Sequence, residues 1–452
     1  MNLPNPRAVA EELRGSLWFV PTVSVVVWVV LALVLIRVEV PQRSFLADVI
    51  FSGGADGARG MLQAVAGSVI TVTGLTFSLT VVTLQLASSQ FSPRLLRTFL
   101  RDTGNQVVLA VFISTFAYCL TVLRTIRAGE GGADEFVPQL AVSVGFLLAL
   151  ASVGALVYFI DHITTEIRVD TMLRNVELDT RRLIDRLHPH DHDDHGDRHE
   201  AEALSWDRPP DHAVAVRATR SGFLTSVSAR PLLRLASEHA LIVELEPKVG
   251  DPVVEGAPLA WCWPSEAVSN RRVDPQALQA DVHAALTIGA ERTLQEDVAY
   301  GLRQLVDVAV KALSPGVNDP TTATHATGRL APLLRALAER PPGPLVWRDE
   351  EQTTRLVVRR PGFEALLRDV CGQIRRYGAG EPTVMEALLN LLRDAGDGAR
   401  DAARRQAVLV EIDLVERAAS RSVDEPTDLE RVTASAGAAR RAVEGDRRPG
   451  PR

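Results

Sequence analysis

Apolar side chains follow two regimes along this chain. Up to about residue 160 they form long charge-free runs, and beyond it they form short runs with helical or alternating spacing. The first run, Leu17–Ile36 (LWFVPTVSVVVWVVLALVLI), supplies the roughly 20 helical residues that cross a hydrocarbon core about 30 Å thick. It is too long and too β-branched for a signal-peptide core, and no small-residue cleavage site follows it. The second run is over-long, with no charge from Met61 to Pro93; the third is Thr103–Leu123 and the fourth Phe136–Ile160. These runs predict a membrane domain over residues 1–163, with four spans at about 17–36, 64–88, 104–123 and 137–160.

The later pattern predicts soluble structure. Val169, Met172, Leu173, Val176, Leu183 and Leu187 have helical spacing and predict a connector over 164–187. A His/Asp-rich stretch, 188–211, reads as a linker. The β-branched runs VAVRAT, FLTSVS, ALIVELE and VVEGAPLAWCW predict a small β-module at 212–264. Residues 275–420 read as mainly helical, with one strand-like stretch at 354–360, and the tail 421–452 reads as disordered. The expected fold class is therefore an α-helical membrane domain with four transmembrane helices plus an α+β region, the latter a small β-module and a helical C-terminal domain.

Arginines flanking the spans set the orientation. With the N-terminus inside, Arg7, Arg14, Arg94, Arg97, Arg101, Arg168 and Arg174 lie on the inner side, against Arg37, Arg43, Arg59, Arg124 and Arg127 outside. An even span number then places both termini on the cytoplasmic face of a bacterial inner membrane. The three cysteines, Cys119, Cys262 and Cys371, form no CxxC pair, which fits a reducing compartment and supports no cysteine metal site. Forty-nine basic against 56 acidic residues leave a net charge of −7, which argues against a nucleic-acid partner.

Candidate chemistry is sparse. Thr73, Thr76, Thr80 and Thr83 share one face of the second span, and Thr71, Ser78, Gln85, Ser89 and Ser92 mark another. One hydroxyl stripe is ordinary helix–helix glue; two stripes suggest that one lines a path for ions or small solutes. Arg94, Arg97 and Arg101 would then stand at its cytoplasmic mouth. No acid, base or histidine falls inside a span, since Asp161 and His162 lie at the edge of the fourth; this lowers the case for an ion-coupled carrier. His188, His190, His192, His195 and His199 alternate with aspartates, a composition read as solvated linker with no metal. Around Ser314-Pro315-Gly316, the residues Arg292, Asn318 and Asp319 form either a polar ligand site or a helix–loop–helix cap. No phosphate loop, nucleophile elbow or zinc-protease motif occurs, so neither an enzyme activity nor a cofactor is expected.

Two resemblances add to this reading. KVGDPVVEGAPLAW resembles the second half of a barrel-sandwich (biotinyl/lipoyl-like) domain, but no lysine occupies an exposed hairpin between the halves, and Lys248 lies beside the Gly-Asp turn instead. The blocks TVTGLTFSLTVVTLQLASSQFSPRLLRTFLRD (71–102) and RTLQEDVAYGLRQLVDVAVKALSPGVNDPTTA (292–323) resemble the signatures of the bacterial predicted-membrane-protein family DUF2254. That resemblance implies an inner-membrane protein with four spans and a cytoplasmic domain, and it brings no activity, ligand or site residue with it. Two functions are expected from the whole. One is a homo-oligomeric ion channel, its pore lined by the second span. The alternative is a membrane-anchored signalling or scaffold protein whose cytoplasmic domain binds a ligand or partner.

Overall fold

The computed structural model describes residues 18–38, 51–90, 103–127, 136–166, 168–188, 198–200, 208–265, 274–340, 343–349 and 351–445. The chain divides into two compact units, Met1–Thr171 and Met172–Arg452.

The first unit is helical: α1 (Phe19–Leu35), α2 (Ala55–Gln90), α3 (Thr103–Leu123) and α4 (Gln139–Glu166). Three of these, α2, α3 and α4, are long and apolar enough to cross a membrane. Of the four spans expected, α1 alone falls short of that length: it is an apolar helix of 17 residues whose rise is about 26 Å. Helix α3 is central: Ser114 Oγ donates to Ser24 Oγ of α1 (2.8 Å), and Tyr118 Oη donates to the Ala141 carbonyl of α4 (2.8 Å). With no apolar driving force between helices in lipid, such small-residue hydrogen bonds hold helices together. The outer surface keeps Val26, Val30, Leu75, Phe77, Leu147, Val153 and Val157 exposed, which is the surface a hydrocarbon solvent requires. Within the expected connector at 164–187, α4 ends at Glu166 and a further helix, α5 (Val169–Leu187), follows.

The second unit is α+β. After α5 come β1 (Arg198–Glu200), β2 (Val214–Arg217), β3 (Gly222–Val227), α6 (Ala229–Glu238), β4 (Leu241–Leu245), β5 (Pro252–Val253), β6 (Pro258–Pro264), α7 (Pro275–Ala285) and β7 (Leu286–Gly289). Then follow α8 (Val298–Ala312), α9 (Pro320–Ala338), β8 (Leu345–Arg348), β9 (Thr354–Val358), α10 (Phe363–Gly378), α11 (Pro382–Asp397), α12 (Ala402–Ser422) and α13 (Pro426–Glu444). Six strands form one sheet in the order β1-β8-β9-β4-β6-β2, and β5-β3-β7 form another.

The β-region is thus not confined to 212–264. Strand β4 is buried at all five positions and needs a partner on each edge; β6 pairs one antiparallel and β9 the other in parallel, with Val243 opposite Leu356. Strand β7, inside the stretch read as helical, pairs with β3. The linker also contains β1, which pairs with β8, while 189–197 and 201–207 lie outside the described residues.

The tail is corrected as well. Residues 426–444 form α13, begun by Pro426 in its first turn and closed by Gly445 at φ 81°. Its buried positions are Val432, Ala436, Ala439 and Val443, spaced four, three and four. A stripe half made of alanine gives little hydrophobic contrast in the sequence, yet it lets helices approach closely. Gly396 of α11 shows how closely: a Cβ there would lie 2.3 Å from Val443 Cγ2.

Candidate functional site

The threonine face of α2 points into its own unit. Thr73, Thr76, Thr80 and Thr83 are all buried, and three of their hydroxyls donate to the carbonyl four residues back: Thr73 to Val69 (2.7 Å), Thr76 to Val72 (2.8 Å) and Thr80 to Thr76 (2.9 Å). Thr71, Ser78 and Gln85 of the second stripe are exposed among apolar side chains. Arg94, Arg97 and Arg101 lie outside the described residues. Because these hydroxyl bonds are local, Thr80→Val should keep the helix and shift thermal unfolding by less than the equivalent of about 1.5 kcal/mol. Circular dichroism melts of the full chain in detergent check this.

Arg292, Asn318 and Asp319 do not share a site. Arg292 precedes α8, whereas Asn318 and Asp319 follow it, and α8 is 15 residues or about 22 Å long. Asp319 is the N-cap of α9, accepting from the Thr322 amide at 3.0 Å and its hydroxyl at 2.6 Å. These bonds hold its carboxyl below the usual range. Asn318 beside it takes φ 48°, a left-handed conformation that asparagine tolerates. Arg292 pairs with buried Asp297 (2.7 and 2.8 Å) and lies over the Tyr300 ring at 5.4 Å. Asp297 caps α8 in turn, accepting from the Tyr300 amide at 2.9 Å. Gly250, at φ 93°, backs this clamp, and a Cβ there would sit 2.1 Å from Asp297 Oδ2.

Asp297 also borders a cavity of about 270 Å³ inside the second unit. One wall is apolar: Val227, Val249, Leu345, Trp347, Val358 and Leu366. The other carries His188, Arg230, Glu296, Arg359 and Arg360. The polar wall is assembled from the end of α5, the start of α6, the start of α8 and the segment following β9.

Guanidinium groups dominate the electrostatics there. Arg360 Nη1 donates to the Leu187 carbonyl at 2.6 Å, satisfying an orphan acceptor at the C-terminus of α5, and lies 3.4 Å from His188 Nδ1. Burial, then the charges of Arg360, Arg340 and Arg404, push the His188 pKa down to about 3, so the ring is neutral at physiological pH. Arg404 is buried; its Nη1 donates to the Ala338 carbonyl (2.6 Å) and its guanidinium lies over Phe363 (5.8 Å). Arg340 is only 2% exposed. Its Nη2 pairs with Asp185, which is half exposed and also shared with Arg181, while its Nε and Nη1 have no hydrogen-bond partner. Glu296 accepts from the Val227 amide at 3.0 Å, and burial raises its pKa, so its negative charge is disfavoured. Arg359 is matched by buried Glu244. Arg340 and Arg404 do not themselves line the cavity; its own lining sets Arg230, Arg359 and Arg360 beside Asp297 and the disfavoured charge of Glu296.

No thiol competes for a chemical role nearby. Cys262 is buried and pushed up to about 12, and Cys371 is raised well above its usual range by burial. His188 was read from the sequence as the first residue of a solvated linker, and the lining residues Arg230 and Glu296 were not singled out. They come from separate segments and form no local motif. Only the doubled arginine, Arg359-Arg360, directly after a β-branched run, marks the spot in the sequence.

Residues 14–394 match the model of a family described as a predicted membrane protein, and this covers both units from α1 to α11. The chain belongs to the DUF2254 family. An uncharacterized protein of Mycobacterium bovis and one of Mycobacterium tuberculosis H37Rv are each 40% identical to this DUF2254 chain over 447 residues, covering 98% of it and 83% of the relative. No solved structure matches it. The family model takes in every residue that lines the His188 cavity.

Proposed function

We propose that this DUF2254 protein is a membrane-anchored, ligand-responsive protein whose α+β unit binds a small organic anion in the His188 cavity. The basic lining carries the reading. Arg230, Arg359 and Arg360 all border the cavity, where guanidinium groups can meet a ligand carboxylate or phosphate through charge-assisted hydrogen bonds. The apolar wall around Trp347 suits a ligand with a hydrocarbon body. In this reading α1 is the fourth span, its 17 residues extended by the helical Trp18 and Ile36, and both termini are cytoplasmic. The burial of the α2 threonines and their bonds within their own helix favour packing over a pore-lining role.

The test is calorimetric titration of the full chain in neutral detergent with hexyl phosphate, hexanoate and neutral hexanol at matched ionic strength. Saturable binding of either anion, with hexanol at least tenfold weaker, is expected. Arg230→Gln should weaken the anion at least fivefold with little change in melting temperature, since Arg230 borders the cavity and is itself exposed. Equal binding of all three probes, or none, would overturn the proposal.

A further inference from the structure

A second, separate basic site lies in the helical part of the α+β unit. A groove of about 560 Å³ runs between α10 and α12, walled by Arg368, Arg375 and Arg376 of α10 and Arg421 of α12. Its floor is made of small residues, Gly372, Ala379 and Ala418. Asp369 is the only carboxylate that lines it, so the walls carry a net charge of +3 on a chain whose net charge is −7.

What sets these arginines apart is the contrast with their neighbours. Elsewhere in the same unit Arg303 pairs with Asp307, Arg329 with Glu177, Arg335 with Glu339 and Arg440 with both Asp413 and Glu416. None of the four groove arginines makes an ion pair or hydrogen bond with a described residue, and Arg375 Nε is buried without a partner. The acid beneath them is Glu411. It is buried, its Oε2 is also unpartnered, and burial favours its neutral form despite the pull of Arg375 and Arg368. Arg375, Arg376 and Arg421 stand in the last turns of their helices, where the macrodipoles account for part of the attraction. That half-charge per helix does not balance four guanidiniums, and Arg368 lies mid-helix.

Gly372 keeps the groove open. A Cβ built there would meet nothing within 4 Å, so no packing in the unit itself requires glycine at this helical position. Glycine inside a helix costs about 1 kcal/mol relative to alanine, and here it leaves empty space between cationic walls.

We infer that this groove binds a compact soluble polyanion bearing several phosphate groups, of the nucleoside-triphosphate or short-polyphosphate class. Guanidinium forks match phosphate oxygens two at a time, and a ligand of three to four negative charges balances the walls. A concave pocket suits such a molecule, whereas a flat basic face would suit a bilayer. The site is distinct from the His188 cavity and stands or falls apart from it.

The experiment is calorimetric titration of the full chain in neutral detergent with inorganic tripolyphosphate, against sodium chloride at matched ionic strength. One saturable site per chain is expected. Arg375→Gln/Arg376→Gln should weaken it at least tenfold. Gly372→Leu, which fills the groove without altering charge or breaking the helix, should do the same, with both variants melting as cooperatively as the parent. Arg230→Gln, at the other site, should leave it unchanged. Heat no greater than the salt control, or tripolyphosphate affinity unchanged in both groove variants, would overturn the inference. So would association with phosphatidylglycerol vesicles that tripolyphosphate does not displace, which would assign the arginines to a lipid surface.

Discussion

A chain ended at Ser422 will lose on the order of 5 kcal/mol of stability in its α+β unit, because α13 is part of the core. Two buried valines, Val432 and Val443, contribute about 1.5–3 kcal/mol each, before counting the α11 surface their removal would expose. Domains are commonly stable by only about 5–15 kcal/mol, so the truncated chain should melt far lower or expose its helical core to solvent. Urea unfolding of full-length and truncated protein, followed by far-ultraviolet circular dichroism, measures the difference. Gly396→Val should reproduce part of the loss, about 1–3 kcal/mol, by forcing α13 off α11. Equal midpoints for parent and truncation would mean that α13 is not docked in solution.

The second large effect is on acid stability. Folded His188 resists protonation down to about pH 3, whereas an unfolded histidine protonates near 6.5. Between these values the unfolded state binds a proton that the folded state refuses. The contribution of His188 is therefore complete above about pH 6.5 and falls away as the pH drops toward 3. Glu296, Asp297 and Glu411 act with the opposite sign: burial raises their pKa, so what they contribute is present in acid and lost as the pH rises. The His188 share is isolated by comparing the parent with His188→Gln from pH 7.5 to 4. The parent should lose stability more steeply on acidification, and the curves should run parallel above pH 7. An anion held in the cavity beside Arg360 would offset its charge and make protonation easier, so hexyl phosphate should flatten the parent's curve and leave that of the variant unchanged. Identical slopes for the two proteins would show that His188 is solvated.

The large elements of this architecture were legible because each has a strong local signal. The charge-free runs gave α2, α3 and α4 within a few residues, apart from the early start of α2 at Ala55, and the helical spacing of Met172, Leu173, Val176 and Leu183 gave α5. The mainly apolar run at β4 gave a strand but not its second neighbour, since pairing with β9 depends on residues far along the chain. Helix α13 escaped because Ala436 and Ala439 bury themselves through close approach, with little hydrophobic contrast. The cap at Asp319 followed from turn chemistry, whereas the cap at Asp297 was missed, and Arg292 at one end of α8 cannot be told from part of a site at the other end until α8 is given its length. The His188 cavity was illegible for a different reason. Its charged lining is drawn from separate segments of the chain, and their convergence is a property of the assembled neighbourhood.

The parallel pairing of β4 with β9 also orders events during synthesis. Val243 and Leu356 are 113 residues apart in sequence, and α7, α8 and α9 lie between them. At about 5–20 residues per second, β4 leaves the ribosome several seconds before the strand that covers its edge. Closing so long a loop is slow, and an uncovered apolar strand invites pairing with another chain. The cavity wall formed by Trp347 and Val358 cannot exist before that closure. Nascent chains stalled before residue 354 should therefore be the species most prone to aggregation and to capture by chaperones, and chains released beyond it should escape both.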